Sequence, residues 1–104
     1  MPEFGMPFSG MKSERKLTKE ELIRAIRFLV AAEYEAVQLY TQLAESTDDK
    51  LSKEVLNDIA NEERVHAGEF LRLLKELASD EEAFYKDGAK EVEEMIKKLK
   101  RNKG

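Results

Sequence analysis

Residues 60–70 read ANEERVHAGEF and contain the one histidine of the chain, His66, three residues after Glu63. Apolar residues at helical spacing flank this pair, with Ile59 before it and Phe70 after it. At about 100° per residue, Glu63 lies about 40° to one side of Ile59 and His66 about 20° to the other. The stretch therefore predicts a helix whose apolar stripe contains an inward carboxylate and an inward imidazole.

A preceding helix carries a matching carboxylate. Residues 22–44 contain no glycine or proline, and Thr18 and Glu21 fit a capping box at the start of this helix. Glu33 lies at the centre of the apolar stripe, since the stripe residues fall within about 40° of it. These residues are Ile26, Leu29, Val37, Tyr40 and Ala44. Glu35 faces nearly the opposite way, as expected of a surface glutamate.

The polar stretch STDDK at 46–50 predicts a turn, because short polar side chains compete for backbone hydrogen bonds. We expect the second helix to run from about residue 51 to 78. Glu33 precedes position 48 by fifteen residues and Glu63 follows it by fifteen. At about 1.5 Å per residue, both glutamates lie about 22 Å from the turn of an antiparallel hairpin, and His66 lies about 4.5 Å deeper. Three candidate ligands should therefore meet between the helices.

The segment after the hairpin predicts a third, shorter helix. The sequence SDEE at 79–82 fits a second capping box, from Ser79 to Glu82, and the Asp-Gly pair at 87–88 predicts a break or bend. Residues 89–100 continue the helix with apolar residues on one face. These are Val92, Met95, Ile96 and Leu99.

The domain division follows from these elements. We expect a flexible arm over residues 1–16, which contain both prolines and two of the five glycines, a helical domain over 17–101, and a flexible tail over 102–104. Gly68 lies inside the second helix, where glycine costs about 1 kcal/mol relative to alanine. It therefore predicts a close helix contact.

Composition limits the function classes. The chain has 104 residues, 38% of them charged, and a net charge of −4, which argues against nucleic-acid binding. It contains no run of 18 apolar residues, so we expect no membrane span and a cytoplasmic location. The absence of cysteine excludes disulfides, thiolate metal sites and cysteine catalysis. A chain of this length buries only about 60–65% of its unfolded surface, so a partner is expected to complete the core.

Inward carboxylates are costly unless they are paired, protonated or metal-bound. Ligation by carboxylates and imidazole without sulfur suits iron, manganese or zinc. One single glutamate, Glu33, and one Glu-x-x-His motif, Glu63 with His66, are half of the ligand set of dinuclear four-helix carboxylate proteins. The full set therefore requires a homodimer. The sequence predicts an all-α fold, a two-helix hairpin plus a shorter third helix that dimerises into a four-helix bundle.

The stretch EYEAVQLY at 33–40, followed by EERVH at 62–66, resembles the encapsulated ferritins and their rubrerythrin-like relatives. The resemblance covers about residues 18–96. It implies a ferritin-like domain with Glu33, Glu63 and His66 as metal ligands. It also implies a ferroxidase that oxidises Fe(II) with O₂ at a di-iron (Fe) site between two subunits. Assembly as a ring of dimers, and iron storage in an encapsulin nanocompartment, are further implications.

Simpler interpretations of the same residues remain open. His66 can be a core histidine, and Glu33 can form a buried salt bridge with Arg27 or Arg64. Tyr40 can pack in the core or donate a hydrogen bond to Glu33 or to another metal-bound group. Glu62 lies at the edge of the stripe, as a boundary residue or beside a metal entry path.

Two other functions fit the sequence. The first is a non-enzymatic helical oligomerisation module stabilised by zinc or another redox-inert ion. The second is a rubrerythrin-like peroxidase, which would need a separate electron donor because the chain has no cysteine for a cysteine-ligated iron centre.

Overall fold

A computed structural model describes residues 14–103 and contains three α-helices. They are α1 (Lys19–Glu45), α2 (Lys50–Leu77) and α3 (Glu82–Lys103), with a single 3₁₀ turn at Ser79–Glu81. No strand occurs in the described part of the chain. The predicted all-α hairpin with a shorter third helix is therefore confirmed. None of the helices within these residues is long and apolar enough to cross a membrane.

The predicted capping box at the start of α1 is confirmed. Thr18 Oγ1 accepts a hydrogen bond from the Glu21 backbone N–H at 3.2 Å, and Glu21 Oε1 accepts one from the Thr18 N–H at 2.9 Å. Arg15 also donates to both carboxylate oxygens of Glu21, at 2.9 and 2.8 Å. These bonds fix where the helix begins. Residues 1–13 of the predicted arm lie outside the described residues.

The predicted turn between α1 and α2 is also confirmed. The Asp49 carboxylate caps α2 by accepting hydrogen bonds from the Ser52 backbone N–H at 3.0 Å and from the Ser52 hydroxyl at 2.6 Å. Lys53 Nζ reaches back across the turn and donates to the Ala44 carbonyl at 2.8 Å. Polar side chains, one short and one long, thus satisfy backbone groups that the helix ends leave free at the turn.

The core of the hairpin is thin and consists mainly of small side chains. The buried residues are Ile26, Val30, Ala44, Ala60, Ala67 and Ala78. No large side chain among the described residues is fully buried. Gly68 does not mark a close contact with another helix of the chain, because a Cβ built there meets nothing within 4 Å beyond its chain neighbours and its own helix backbone. The prediction of a close helix contact at Gly68 was therefore wrong within one chain. Many large apolar side chains of the described residues are exposed instead of buried.

Two predictions about the third segment were wrong. Ser79 does not cap a helix, since residues 79–81 form a 3₁₀ turn without a side-chain cap and α3 begins at Glu82. The Asp-Gly pair at 87–88 does not break α3, which continues to Lys103 and so passes the predicted domain end at residue 101. One glycine costs only about 1 kcal/mol, and the surrounding alanine, lysine and glutamate residues are strong helix formers.

Side chains at the junction set the direction of α3. Arg27 on α1 donates to one carboxylate oxygen of Glu81, and the Tyr85 hydroxyl donates to the other. The helix then extends away from the hairpin, so the described chain measures 59 × 46 × 19 Å. The hairpin and α3 therefore present separate surfaces.

Candidate metal centre

The structure brings the three predicted ligands together. Glu33 comes from the middle of α1, and Glu63 and His66 come from α2, one turn apart. His66 Nδ1 lies 3.8 Å from Glu33 Oε2 and 3.6 Å from Glu63 Oε2. Ligand atoms of all three residues lie within 4.8 Å of one another. The constant rise of the two antiparallel helices produces this convergence.

The two carboxylates are largely removed from solvent. The side chains of Glu33 and Glu63 are only 16% and 19% exposed. Glu33 Oε2 is buried and has no hydrogen-bond partner among the described residues. A buried carboxylate oxygen without a donor costs free energy, because it loses the hydrogen bonds that water supplied. Neither carboxylate has a lysine or arginine partner among the described residues, and His66 Nδ1 is the nitrogen that faces both.

Neither arginine proposed as a salt-bridge partner neutralises Glu33. Arg27 binds Glu81 at the α3 junction. Arg64 Nη1 donates to Asn61 Oδ1 at 2.6 Å, within its own helix. Among the lysine, arginine and histidine side chains of the described residues, only His66 lies at ion-pair distance from Glu33, at 3.8 Å.

The donor set fits a divalent transition-metal ion. Two carboxylates and one imidazole suit iron, manganese or zinc, and ligand atoms around one such ion are about 3 to 4 Å apart, given bonds of about 2.0–2.2 Å. The 3.6 and 3.8 Å separations lie in this range. His66 is 48% exposed, so the cluster is open on one side in a single chain.

Half-exposed apolar side chains lie on the same side of the hairpin as the open side of the cluster. On the helical wheel, these residues share the side of the hairpin that carries His66. We call them the ligand face: Leu22, Leu29, Leu43, Val55 and Leu73. Each of them is 37% to 47% exposed. A stripe of half-exposed apolar residues on the same side as a cluster of largely buried carboxylates is typical of a surface that another protein covers.

The two secondary candidates contribute less to the cluster. Tyr40 is half-buried on α1 and forms no hydrogen bond with any residue of the described chain, so the proposed bond to Glu33 is not made here. Glu62 is exposed on α2, in agreement with its place at the edge of the stripe. Sequence reasoning missed the Arg27–Glu81–Tyr85 junction. The spacing of four residues from Glu81 to Tyr85 was the only local signal for it.

Comparisons with known proteins agree with the helical pattern. The family model described as Rubrerythrin matches residues 20–103. Among solved structures, the encapsulated ferritin domain from Pyrococcus furiosus superposes with a TM-score of 0.78 at 34% sequence identity. That match covers 88% of this chain and 94% of the other.

Two characterised relatives are similar in sequence. A ferritin-like–encapsulin shell fusion protein of Pyrococcus furiosus is 38% identical over 82 residues, which cover 79% of this chain and 24% of that protein. An encapsulin nanocompartment cargo protein of Myxococcus xanthus is 37% identical over 73 residues, covering 70% of this chain and 56% of that protein. The aligned region thus amounts to about a quarter of the first relative and just over half of the second.

Proposed function

Because this chain belongs to the rubrerythrin family of ferritin-like proteins, we propose that it is a ferroxidase. It oxidises Fe(II) with O₂ at a di-iron site formed between two copies of the chain. One observation carries the proposal: Glu33, Glu63 and His66 offer ligand atoms within 4.8 Å of one another, and one buried oxygen of Glu33 lacks a partner.

The requirement for two copies follows from the ligand count. One chain supplies two carboxylates and one imidazole, which is half of a dinuclear carboxylate set. A two-fold axis over the ligand face would double this set to four glutamates and two histidines. The same contact would cover the half-exposed apolar residues of the ligand face and the open side at His66. One surface therefore completes both the site and the core.

Each ligand has a distinct role in this proposal. Glu33 and Glu63 bind Fe(II) through anionic oxygens and favour the more highly charged Fe(III) once it forms, because their negative charge is largely screened from water. His66 faces the two carboxylates with Nδ1 and would offer the lone pair of this nitrogen to the metal ion as the third ligand atom. Two Fe(II) ions would each give up one electron, and one O₂ would take up these two electrons with two protons from solvent to form H₂O₂.

The cellular setting is part of the same proposal. The relatives named above are a shell fusion and a cargo protein of encapsulin nanocompartments. We therefore infer that this chain works inside an encapsulin shell in the cytoplasm. There it would supply oxidised iron for storage or detoxification.

Rapid-mixing absorbance spectroscopy tests the activity. Protein loaded with Fe(II) without oxygen is mixed with oxygenated buffer, and the appearance of Fe(III) is followed. We expect near-complete loss of oxidation in Glu33→Ala, Glu63→Ala and His66→Ala. Glu69→Ala is the matched control, since Glu69 is an exposed glutamate on the same helix. Wild-type rates in all three ligand variants would exclude the site as a ferroxidase centre.

A second candidate is a metal-stabilised oligomerisation module. The unpaired Glu33 oxygen would be stabilised by any divalent ion, including redox-inert zinc. Native mass spectrometry with Fe(II) or Zn(II) reports subunit number and metal content together. Dimerisation with bound metal but without oxygen-dependent oxidation would favour this module over the enzyme.

A further inference from the structure

A groove runs along the side of the hairpin that points away from the ligand face. It consists of two adjoining depressions of about 440 and about 410 Å³, and Leu71 lines both of them. On the helical wheel, Tyr34 and Leu71 lie on the opposite side of the hairpin from Leu29 and Leu73. We call this depression the α2 groove, and its principal lining residues are Tyr34, Arg64, Gly68, Leu71, Lys75 and Tyr85.

The α2 groove has an apolar floor with an open notch. Gly68 contributes no side chain, and a Cβ built there meets nothing within 4 Å beyond its chain neighbours and its own helix backbone. Tyr34, Leu71 and Tyr85 line the groove and are 53%, 44% and 55% exposed. Half-exposed large side chains beside an open notch are typical of a surface that receives apolar side chains of another chain.

The charged residues that α2 places along the groove are all basic. They are Arg64, Arg72 and Lys75. Arg64 donates only to the neutral side chain of Asn61, and Lys75 forms no ion pair with any described residue. The groove therefore carries positive charge, although the chain as a whole has a net charge of −4.

The nearby carboxylates do not cancel this positive charge. Glu76 pairs with Arg72, but the two side chains are 72% and 66% exposed, and such surface pairs are weak. Glu81, at the α3 end of the groove, is already bound by Arg27. Glu82 is then the one lining carboxylate without a basic partner in the described chain. A negatively charged partner is therefore electrostatically favoured.

We propose that the α2 groove binds an acidic peptide segment of a partner protein. Two apolar side chains of the segment lie on either side of Leu71, and its carboxylates face Arg64 and Lys75. Residues 64–78 rise by about 21 Å, the length of about six or seven residues of extended peptide. The apolar floor favours a peptide with apolar side chains over a nucleic acid.

This surface does not rest on the proposed function. It lies on the side of the hairpin opposite the ligand face, so it stays accessible when two copies pair over that face. Binding of an acidic segment would therefore attach the partner protein to either copy of such a dimer.

Fluorescence anisotropy on the full chain tests the binding with a defined probe. The probe is a labelled peptide of eight residues, aspartate and glutamate throughout except for leucine at the third and sixth positions. These leucines are about 10 Å apart in an extended peptide, close to the rise of about 9 Å from Gly68 to Leu74. We expect saturable binding that weakens as salt is added, and at least about a tenfold loss when alanine replaces both leucines. No saturable binding, or equal affinity for the two peptides, contradicts the proposal.

Substitutions in the groove separate the contribution of its notch from that of its charge. Gly68→Leu fills the notch and should weaken binding of the probe by at least about tenfold, whereas Gly68→Ala should leave it within about twofold. Arg64→Glu should weaken binding about tenfold at low salt, and Arg101→Glu on α3 is the control with the same charge change. Circular dichroism verifies that each variant keeps its helical content. Wild-type affinity in both Gly68→Leu and Arg64→Glu, or an equal loss in Arg101→Glu, would overturn the proposal.

Two further measurements distinguish other occupants of the groove. Oligothymidine with the same net charge as the peptide should bind more weakly than the peptide, and tighter binding would mean a nucleic-acid surface. Sedimentation velocity should give Gly68→Leu the same oligomeric state as the wild type, and a smaller species would mean that a second copy occupies the groove. Either result would exclude an acidic peptide as the occupant.

Discussion

His66 Nδ1 and Glu33 Oε2 lie 3.8 Å apart although the two residues belong to different helices. This separation is too long for a hydrogen bond. The Glu33 oxygen is nevertheless buried and finds no other donor in the described part of the chain. The distance between these two atoms is therefore that of two ligand atoms bound to one ion. In the metal-free chain, the buried carboxylate oxygen of Glu33 costs free energy because it has no hydrogen-bond partner.

We expect Glu33→Gln to separate stability from metal binding. Removing an unpaired buried charge should leave the free energy of unfolding of the metal-free chain unchanged or raise it, by up to about 1–3 kcal/mol. Metal ions bind carboxylates far better than amides, so the rise in melting temperature on adding Fe(II) without oxygen should disappear. Differential scanning calorimetry with and without metal measures both effects. Glu35→Gln, on the exposed side of α1, is the control. Lower metal-free stability with a retained response to metal would contradict this interpretation.

The convergence of the three candidate ligands, Glu33, Glu63 and His66, was predictable because it depends on the rise and rotation per residue of an α-helix. The helical rise and rotation are the same in every α-helix, so the distance of Glu33 and Glu63 from the turn fixes their level. The polar STDDK stretch fixed the turn within a few residues, and Asp49 caps α2 there. A hairpin with a short turn leaves little freedom for any other register.

The direction of α3 was not predictable in the same way. It depends on Arg27 reaching Glu81 across 54 positions of sequence, and no local pattern records such a contact. The predicted break at 87–88 failed for a related reason. A turn signal such as Asp-Gly is weak beside many consecutive helix-forming residues, and the helix passes through it.

Replacing Gly68 by alanine should stabilise the protein. The site is exposed in the middle of α2, and a Cβ there meets nothing within 4 Å. Alanine restricts the unfolded chain and improves helix propensity, so the expected gain is about 0.5–1 kcal/mol. Urea unfolding followed by circular dichroism measures it. Gly68→Leu serves as a size control, since leucine has nearly the same propensity. A loss with leucine but not with alanine would show that another chain packs closely on this part of α2.

The contribution of the Glu21 carboxylate at the start of α1 to the stability of the protein should decrease at low pH. Arg15 and the Thr18 backbone N–H both bind the Glu21 carboxylate and lower its pKa to about 2. A carboxyl whose pKa is lowered on folding contributes stability above its unfolded pKa of about 4.3, and this contribution is lost as the pH falls through the folded value. We therefore expect stability to decline between about pH 5 and pH 2, with a smaller decline in Glu21→Gln. Thermal melts across this range compare the two proteins, and parallel curves would contradict the assignment.

Thr18→Ala tests the same cap without changing any charge. Loss of the hydroxyl removes the bond to the Glu21 N–H and should cost about 1 kcal/mol of the free energy of unfolding at neutral pH. Thr18→Ser is the matched control, because serine keeps the hydroxyl that accepts the hydrogen bond from the Glu21 N–H. An equal loss in both variants would mean that the cap adds nothing specific. Denaturant unfolding at pH 7 gives both values.

The contacts at the junction between the hairpin and α3 should affect the pKa of Tyr85. The Tyr85 hydroxyl donates to Glu81, and this hydrogen bond is the main cause that raises the pKa of Tyr85 above its usual 10, while the Arg27 cation opposes the rise. Glu81→Gln removes the acceptor charge and should return the pKa towards 10, whereas Arg27→Gln should raise it further. Absorbance titration of phenolate formation, with Tyr85→Phe subtracted to leave Tyr34 and Tyr40 aside, measures each value. Circular dichroism verifies that α3 stays folded at each pH. A Tyr85 titration that neither substitution moves would mean that the Arg27–Glu81–Tyr85 contact does not form in solution, and α3 would then lack the side-chain bonds that hold it to the hairpin.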